Sequence, residues 1–226
     1  MRLVPVVTLA LIFLNLLVFA YQALLGIGPG VAERGALEAF VTEFGLIPCR
    51  LTGQCVRLGD LPSPALTIFT SMFLHAGIIH LLGNSLYLRI FGASVESALG
   101  RARFLAVYLA SGVGGAVIQV VAAPDSSLPM LGASGAVSGA LGAYLLLFPH
   151  ARVQVLLLIL PFARLAHIPA LLVLGLWIVV QLVSGMLATP AAPEEGGVAW
   201  FAHLGGFLAG MALLGLLRPR RRPRFA

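Results

Sequence analysis

Long apolar runs alternate with short polar connections along the whole chain. A hydrocarbon core of about 30 Å takes roughly 20 helical residues to cross, which is about the length of each run. The runs cover residues 4–26, 77–98, 104–122, 132–148, 168–187 and 198–217. The pattern therefore predicts an all-α polytopic membrane protein with six transmembrane helices.

The connection between the first two runs, residues 27–76, is too long for a plain turn. It mixes charged residues with apolar stretches at 44–48 and 65–74, set among glycines and prolines. This composition favours a structured lobe that lies partly in the membrane interface. A reentrant loop is the alternative interpretation.

Composition agrees with a membrane protein and removes several kinds of hydrolase. The 226 residues are 60% hydrophobic and 10% charged, with a mean hydropathy of +1.03, which excludes an ordinary soluble domain. All 14 basic residues are arginines, so a serine-lysine dyad is impossible. The two aspartates, Asp60 and Asp125, fall in predicted loops, and no zinc-protease motif is present. Serine is the hydrolytic nucleophile that remains.

The distribution of arginines predicts the orientation in the membrane. With a cytoplasmic N-terminus, 11 of the 14 arginines lie on the inner side, five of them in the tail after residue 217. Both termini are then cytoplasmic, and the 27–76 lobe is a large outer loop between helices 1 and 2. We expect one core over residues 1–217 and a basic tail over 218–226 that fixes topology and does not bind nucleic acid.

A serine lies between glycines in the fourth apolar run. Ser134 follows Gly132 and precedes Gly135, Gly139 and Gly142, so neighbouring helices can approach this backbone closely. A serine in such a helix is most often a packing residue. His203 in the last run changes this interpretation, because a titratable group at bilayer depth is costly and usually functional. Ser134 and His203 can form a catalytic dyad.

The second run brings two more polar side chains to one helix face. His80 and Asn84 are four residues apart, so an imidazole and a carboxamide can point at one place. Bonding to each other or to a neighbouring helix is the plain structural alternative. The predicted topology puts this pair, Ser134 and His203 all nearer the outer face.

Four short motifs in this order resemble the signature of the rhomboid intramembrane serine proteases. They are His75-x4-His80-x3-Asn84, Gly92-x3-Glu96-x3-Gly100, Gly132-x-Ser134-Gly135 and Ala202-His203-x2-Gly206-x3-Gly210. The resemblance covers about residues 4–217 and implies a rhomboid-like bundle in a bacterial inner or plasma membrane. It implies Ser134 as nucleophile, His203 as general base, and an oxyanion hole made by His80, Asn84 and the Ser134 N–H.

The sequence departs from the family pattern at Ser138. Well-known members carry an aromatic residue four positions after the serine, where it packs on the base. The sequence therefore leaves open how His203 is held. No acidic residue lies in the apolar part of these runs, which favours a dyad over a triad.

The resemblance also implies the partners and the chemistry. Substrates are transmembrane segments of other proteins in the lipid bilayer, no cofactor or metal is expected, and the Pro/Gly-rich connection 188–197 is a candidate moving gate. Two other functions remain open. One is a catalytically inactive rhomboid-like protein that binds transmembrane helices, and the other is a small transporter.

Cys49 and Cys55 share the predicted outer loop. The outer side is an oxidising compartment, and only five residues separate the two thiols. A disulfide between them is predicted, and two free thiols are the alternative.

Overall fold

The computed structural model describes residues 4–26, 31–55, 62–159, 162–187 and 198–217, with the backbone alone at 31–34, 158–159 and 162. The predicted gate at 188–197 and the predicted tail at 218–226 lie outside the described residues.

Helices make up most of the described chain. Before the central helices, the chain forms α1 (Val6–Leu25), α2 (Val31–Phe44), α3 (Pro48–Thr52), α4 (Pro64–Thr70) and a 3₁₀ turn (Ser71–Phe73). The next helix runs without a break through α5 (Ile78–Tyr87), a π turn (Leu88–Gly92) and α6 (Ala93–Leu99). The remaining elements are α7 (Arg101–Ala122), α8 (Ser134–Leu147), β1 (Arg152–Ile159), β2 (Phe162–Pro169), α9 (Ala170–Leu187) and α10 (Trp200–Leu217).

Five helical stretches are long and apolar enough to cross a membrane: α1, α5 through α6, α7, α9 and α10. They coincide with five of the six predicted runs, which supports a polytopic membrane fold. The remaining run, the fourth along the chain, forms α8, which has 14 residues and is about 21 Å long. It is shorter than a hydrocarbon core, so the length criterion supports five spans and leaves the count of six as a prediction.

The expectation of an all-α protein is wrong for residues 152–169. β1 and β2 form an antiparallel hairpin in which Arg152 pairs with Pro169 and Ile159 with Phe162. Each strand has eight residues, and apolar runs of this length do not distinguish a strand from a helix by pattern alone. His150 and His167, on either side of the hairpin's base, are exposed.

The described part of the 27–76 connection forms α2, α3, α4 and the 3₁₀ turn, and it is bonded to the segment before α8. Leu46 and Met130 exchange two backbone hydrogen bonds of 3.2 and 2.7 Å, and the Cys49 N–H donates to the Ser126 carbonyl at 3.0 Å. The lobe is therefore fastened to the segment that leads into α8. Its position on the outer side of a membrane stays a prediction.

Buried Glu96 in α6 holds the start of α1. Its carboxylate accepts hydrogen bonds from the backbone N–H groups of Val7 and Thr8, at 3.0 and 2.8 Å, and from the Thr8 hydroxyl at 2.8 Å. These N–H groups lie in the first turn of α1, where no helical acceptor exists for them. Glu96 belongs to the second of the four motifs, and these contacts give it a structural role.

The core lies where α7, α8 and α10 meet. Nine consecutive residues of α8, Ala136–Tyr144, are buried, so α8 is surrounded by protein on all sides. A β-carbon at Gly206 would overlap the carbonyl oxygen of Gly135, and one at Gly210 would overlap that of Gly139. The two backbones therefore touch, as the glycine pattern of α8 predicted.

Candidate active site

Ser134 is the first residue of α8, and its position depends on Gly132. Gly132 has φ +120°, a conformation that other residues rarely adopt, and its N–H donates to the Ser71 carbonyl at 2.9 Å. Within the described residues, the Ser134 N–H makes no hydrogen bond. This donor is therefore free to bind a ligand oxygen beside the hydroxyl.

His203 comes from the first turn of α10. It lies three residues before Gly206, whose contact with Gly135 fixes α10 against the start of α8. The close contact of the two backbones thus sets the separation between the turns that carry Ser134 and His203.

A cavity of about 1000 Å³ opens between α5, α8, α9 and α10. Its walls include Ser134, His203, His80 and Asn84, the four residues singled out from the sequence. Apolar side chains from α5, α9 and the segment before α8 form much of the remaining wall, among them Ile78, Leu128, Met130 and Trp177. The arrangement is that of a large apolar pocket with a few convergent polar groups.

His80 and Asn84 lie against the turn before Ser134. A β-carbon at Gly132 would come within 2.6 Å of His80 Cε1 and 3.7 Å of Asn84 Nδ2. Asn84 Nδ2 is buried and has no hydrogen-bond partner among the described residues. Because a buried amide donor without a partner is costly, an acceptor from outside the protein would stabilise Asn84 in this position.

His75, the first histidine of the motif, is held in place by α1. Gln22 accepts from the His75 N–H at 3.0 Å and donates to its carbonyl at 3.3 Å, and the ring lies 5.3 Å from that of His80. Burial, and secondly the nearby His80, lowers the pKa of His75 to about 4. The His75 ring does not line the cavity and packs against His80, so its contact with His80 is the role that the structure indicates.

The two residues of the predicted dyad share the cavity but are not bonded in this structure. Among the described residues, no hydrogen bond joins Ser134 Oγ to His203. Bonds between a nucleophile and its base often tighten only when a substrate is bound. His203 Nδ1 instead lies 2.6 Å from Oε1 of Gln181 on α9.

Two tryptophans, and not Ser138, lie beside the ring of His203. The Ser138 hydroxyl donates to the Ser134 carbonyl at 2.6 Å, so it serves its own helix. The ring of Trp177 on α9 lies 5.9 Å from that of His203, and the ring of Trp200 lies 6.4 Å away. Sequence analysis gave no role to Trp177 or Gln181, although their spacing of four residues in an apolar helix was the available signal.

Cys49 and Cys55 lie side by side, with their sulfur atoms in contact and their Cα atoms 5.1 Å apart. This separation is within the range that a disulfide accommodates. The oxidised state of the pair stays a prediction.

Comparison with known proteins gives one consistent result. The family model described as Rhomboid domain matches residues 62–220. The mitochondrial Rhomboid protein 1 of Saccharomyces cerevisiae is 32% identical over 156 residues, which are 67% of this chain and 42% of that protein. RHOMBOID-like protein 2 of Arabidopsis thaliana is 37% identical over 155 residues, 68% of this chain and 43% of that protein.

A bacterial relative is more similar over a shorter stretch. Rhomboid protease GluP of Bacillus subtilis is 45% identical over 78 residues, which are 34% of this chain and 15% of that protein. The chain thus aligns with less than half the length of each of these three relatives.

Proposed function

This chain belongs to the rhomboid family, and from that premise we propose that it is an intramembrane serine endopeptidase that cleaves transmembrane segments of other proteins. The observation that carries the proposal is that Ser134, His203, His80 and Asn84 line the same cavity of about 1000 Å³. The family includes serine proteases, GluP among the relatives.

The residues supply each group that peptide hydrolysis needs. His203 Nε2 takes the proton of the Ser134 hydroxyl as Oγ bonds to the scissile carbonyl carbon. The carbonyl oxygen becomes an oxyanion and accepts hydrogen bonds from Asn84, His80 and the Ser134 N–H. The C–N bond then breaks as the imidazolium returns its proton to the leaving amine. His203 then takes a proton from a water that attacks the acyl carbon, the bond from that carbon to Oγ breaks, and the imidazolium returns its proton to Ser134 Oγ.

The cavity favours an apolar, locally unwound substrate. A regular helix keeps its carbonyls in internal hydrogen bonds, so substrates should carry helix-weakening residues such as glycine or proline near the cut. The proposed topology has six spans, cytoplasmic termini and an outer loop over 27–76, and it places cleavage toward the outer face. Entry is lateral, and the gate is the Pro/Gly-rich connection 188–197, which follows α9 in the sequence.

A helix-destabilised transmembrane reporter reconstituted in liposomes tests this function. Wild-type protein should cleave it, in EDTA as well as in buffer, whereas Ser134→Ala and His203→Ala should each leave it intact while remaining folded. Full cleavage by Ser134→Ala would refute the mechanism. Reporter binding by the wild type without cleavage would favour the inactive relative, and solute flux would favour the transporter.

A further inference from the structure

In this chain, side chains of α9 contact the proposed general base, His203, whereas Ser138 of α8 does not. The side chain four positions after the nucleophile is Ser138, whose hydroxyl is used by its own helix. The contacts on His203 come instead from Trp177 and Gln181, which share one face of α9 because they are four residues apart.

We infer that Gln181 is a positioning residue that orients the His203 ring and selects its tautomer, with Trp177 packed beside the ring. This inference rests on the proposed function, because it gives Gln181 a role through His203.

The atoms in contact determine the direction of the hydrogen bond. An amide oxygen can only accept, so the 2.6 Å contact between Gln181 Oε1 and His203 Nδ1 requires a proton on Nδ1. A neutral imidazole carries one ring proton, so Nε2 keeps its lone pair. The nitrogen left unprotonated is the one that can accept the proton of Ser134.

Gln181 has no other evident reason to be polar. It is 6% exposed in a helix where the other three buried residues are Ala170, Leu174 and Gly185. An amide at this depth in a membrane helix is costly unless it is bonded. An apolar residue would serve packing better, and the hydrogen bond to His203 accounts for the polar one.

The location of Gln181 on α9 also connects His203 to the wall of the cavity. α9 supplies Trp177 to the cavity wall and carries Gln181 one turn further along. Displacement of α9 away from α10 would remove both contacts from His203 together. The His203 ring is therefore correctly oriented only while α9 is packed against α10. If a substrate enters past α9, this helix must pack against α10 again before cleavage.

Two substitutions of similar length separate positioning from packing. Gln181→Met keeps the volume and loses the acceptor, whereas Gln181→Glu keeps an oxygen at the acceptor position. We expect Gln181→Met to lower kcat for the reporter about 10- to 100-fold, the usual effect of removing the group that orients a reacting histidine. KM should not change, and Gln181→Glu should retain most of the wild-type kcat.

If Gln181 served packing alone, Gln181→Met would have a higher kcat than Gln181→Glu. Methionine suits a buried membrane site better than a carboxyl group, so Gln181→Met should be the more thermally stable of the two. The positioning role predicts that Gln181→Glu nevertheless has the higher kcat. Leu182→Met on the exposed face of α9 is the control and should match the wild type in both measurements.

The outcomes distinguish this inference from the proposed function. A wild-type kcat in Gln181→Met, or kcat values that follow thermal stability across the variants, would overturn the role of Gln181 and leave the protease function intact. Absence of reporter cleavage by the wild type would refute the function itself.

Discussion

α8 and α9 both meet α10 near His203, and they do so in different ways. α8 touches it backbone to backbone, through Gly135 with Gly206 and Gly139 with Gly210, and is buried throughout its middle. α9 buries only four of its 18 residues and reaches His203 through the side chains of Trp177 and Gln181.

This difference separates two tasks. The glycine contacts fix where the backbones of the nucleophile and the base lie, and they leave no room for adjustment. The orientation of the imidazole ring depends on side chains of a helix that mostly faces outward. Substitutions in the first interface should therefore affect folding, and substitutions in the second should affect catalysis with the fold retained.

After loss of the nucleophile or the base, the largest effect on catalysis is expected at Asn84 in the cavity wall. Asn84→Ala removes an oxyanion donor whose amide has no other partner, and this typically raises the barrier by about 3 kcal/mol, or roughly 100- to 1000-fold in kcat. Reporter turnover measures the change, and thermal unfolding in detergent should stay close to the wild type. Undiminished turnover would remove Asn84 from the site.

The glycine contact between α8 and α10 should determine stability. Gly206→Ala places a methyl group against the Gly135 carbonyl and should destabilise the fold by about 1–3 kcal/mol. Gly175→Ala in α9 is the matched control, because a β-carbon there meets nothing within 4 Å. It should be neutral or stabilising by about 0.5–1 kcal/mol, since alanine favours a helix over glycine. Equal melting temperatures for the two variants would contradict the contrast between the helices.

A smaller effect is expected at Trp177. Trp177→Leu removes the ring packed beside His203, a contact of a kind that contributes about 0.5–1.5 kcal/mol, or roughly 2- to 10-fold in kcat. Trp177→Phe keeps an aromatic ring and should lose less. If leucine and phenylalanine gave the same kcat as tryptophan, the ring would have no part in holding the base.

The smallest effect on catalysis is expected at Cys49 and Cys55, away from both interfaces. Intact-mass analysis after alkylation without reductant should find no free thiol. Reduction should leave reporter cleavage nearly unchanged, because so short a loop restricts little unfolded-chain entropy. Two alkylated thiols in the untreated protein would show that the pair is reduced.

Some features could be predicted from the sequence because they depend on local pattern. The last apolar run, 198–217, forms α10 at Trp200–Leu217, and the glycines around Ser134 face another helix as their spacing indicated. Two other features depend on neighbours distant in the chain. Glu96 bonds to Thr8, 88 residues away, and Gln181 bonds to His203, 22 residues away.

The hairpin at 152–169 was missed for a different reason. Its strands are apolar and short, and their residues read equally well as part of a buried helix or an interfacial segment. The pairing of β1 with β2 decides the structure, and pairing is a property of two segments together.

The central claim is that Ser134 is activated by a base. A fluorophosphonate probe tests it directly in detergent, because the probe reacts with an activated serine and needs no knowledge of the natural substrate. We predict one adduct per chain, mapped to Ser134 by peptide mass analysis, and none in Ser134→Ala or His203→Ala. Wild-type protein that stays unlabelled, or Ser134→Ala that labels as the wild type does, would contradict the account.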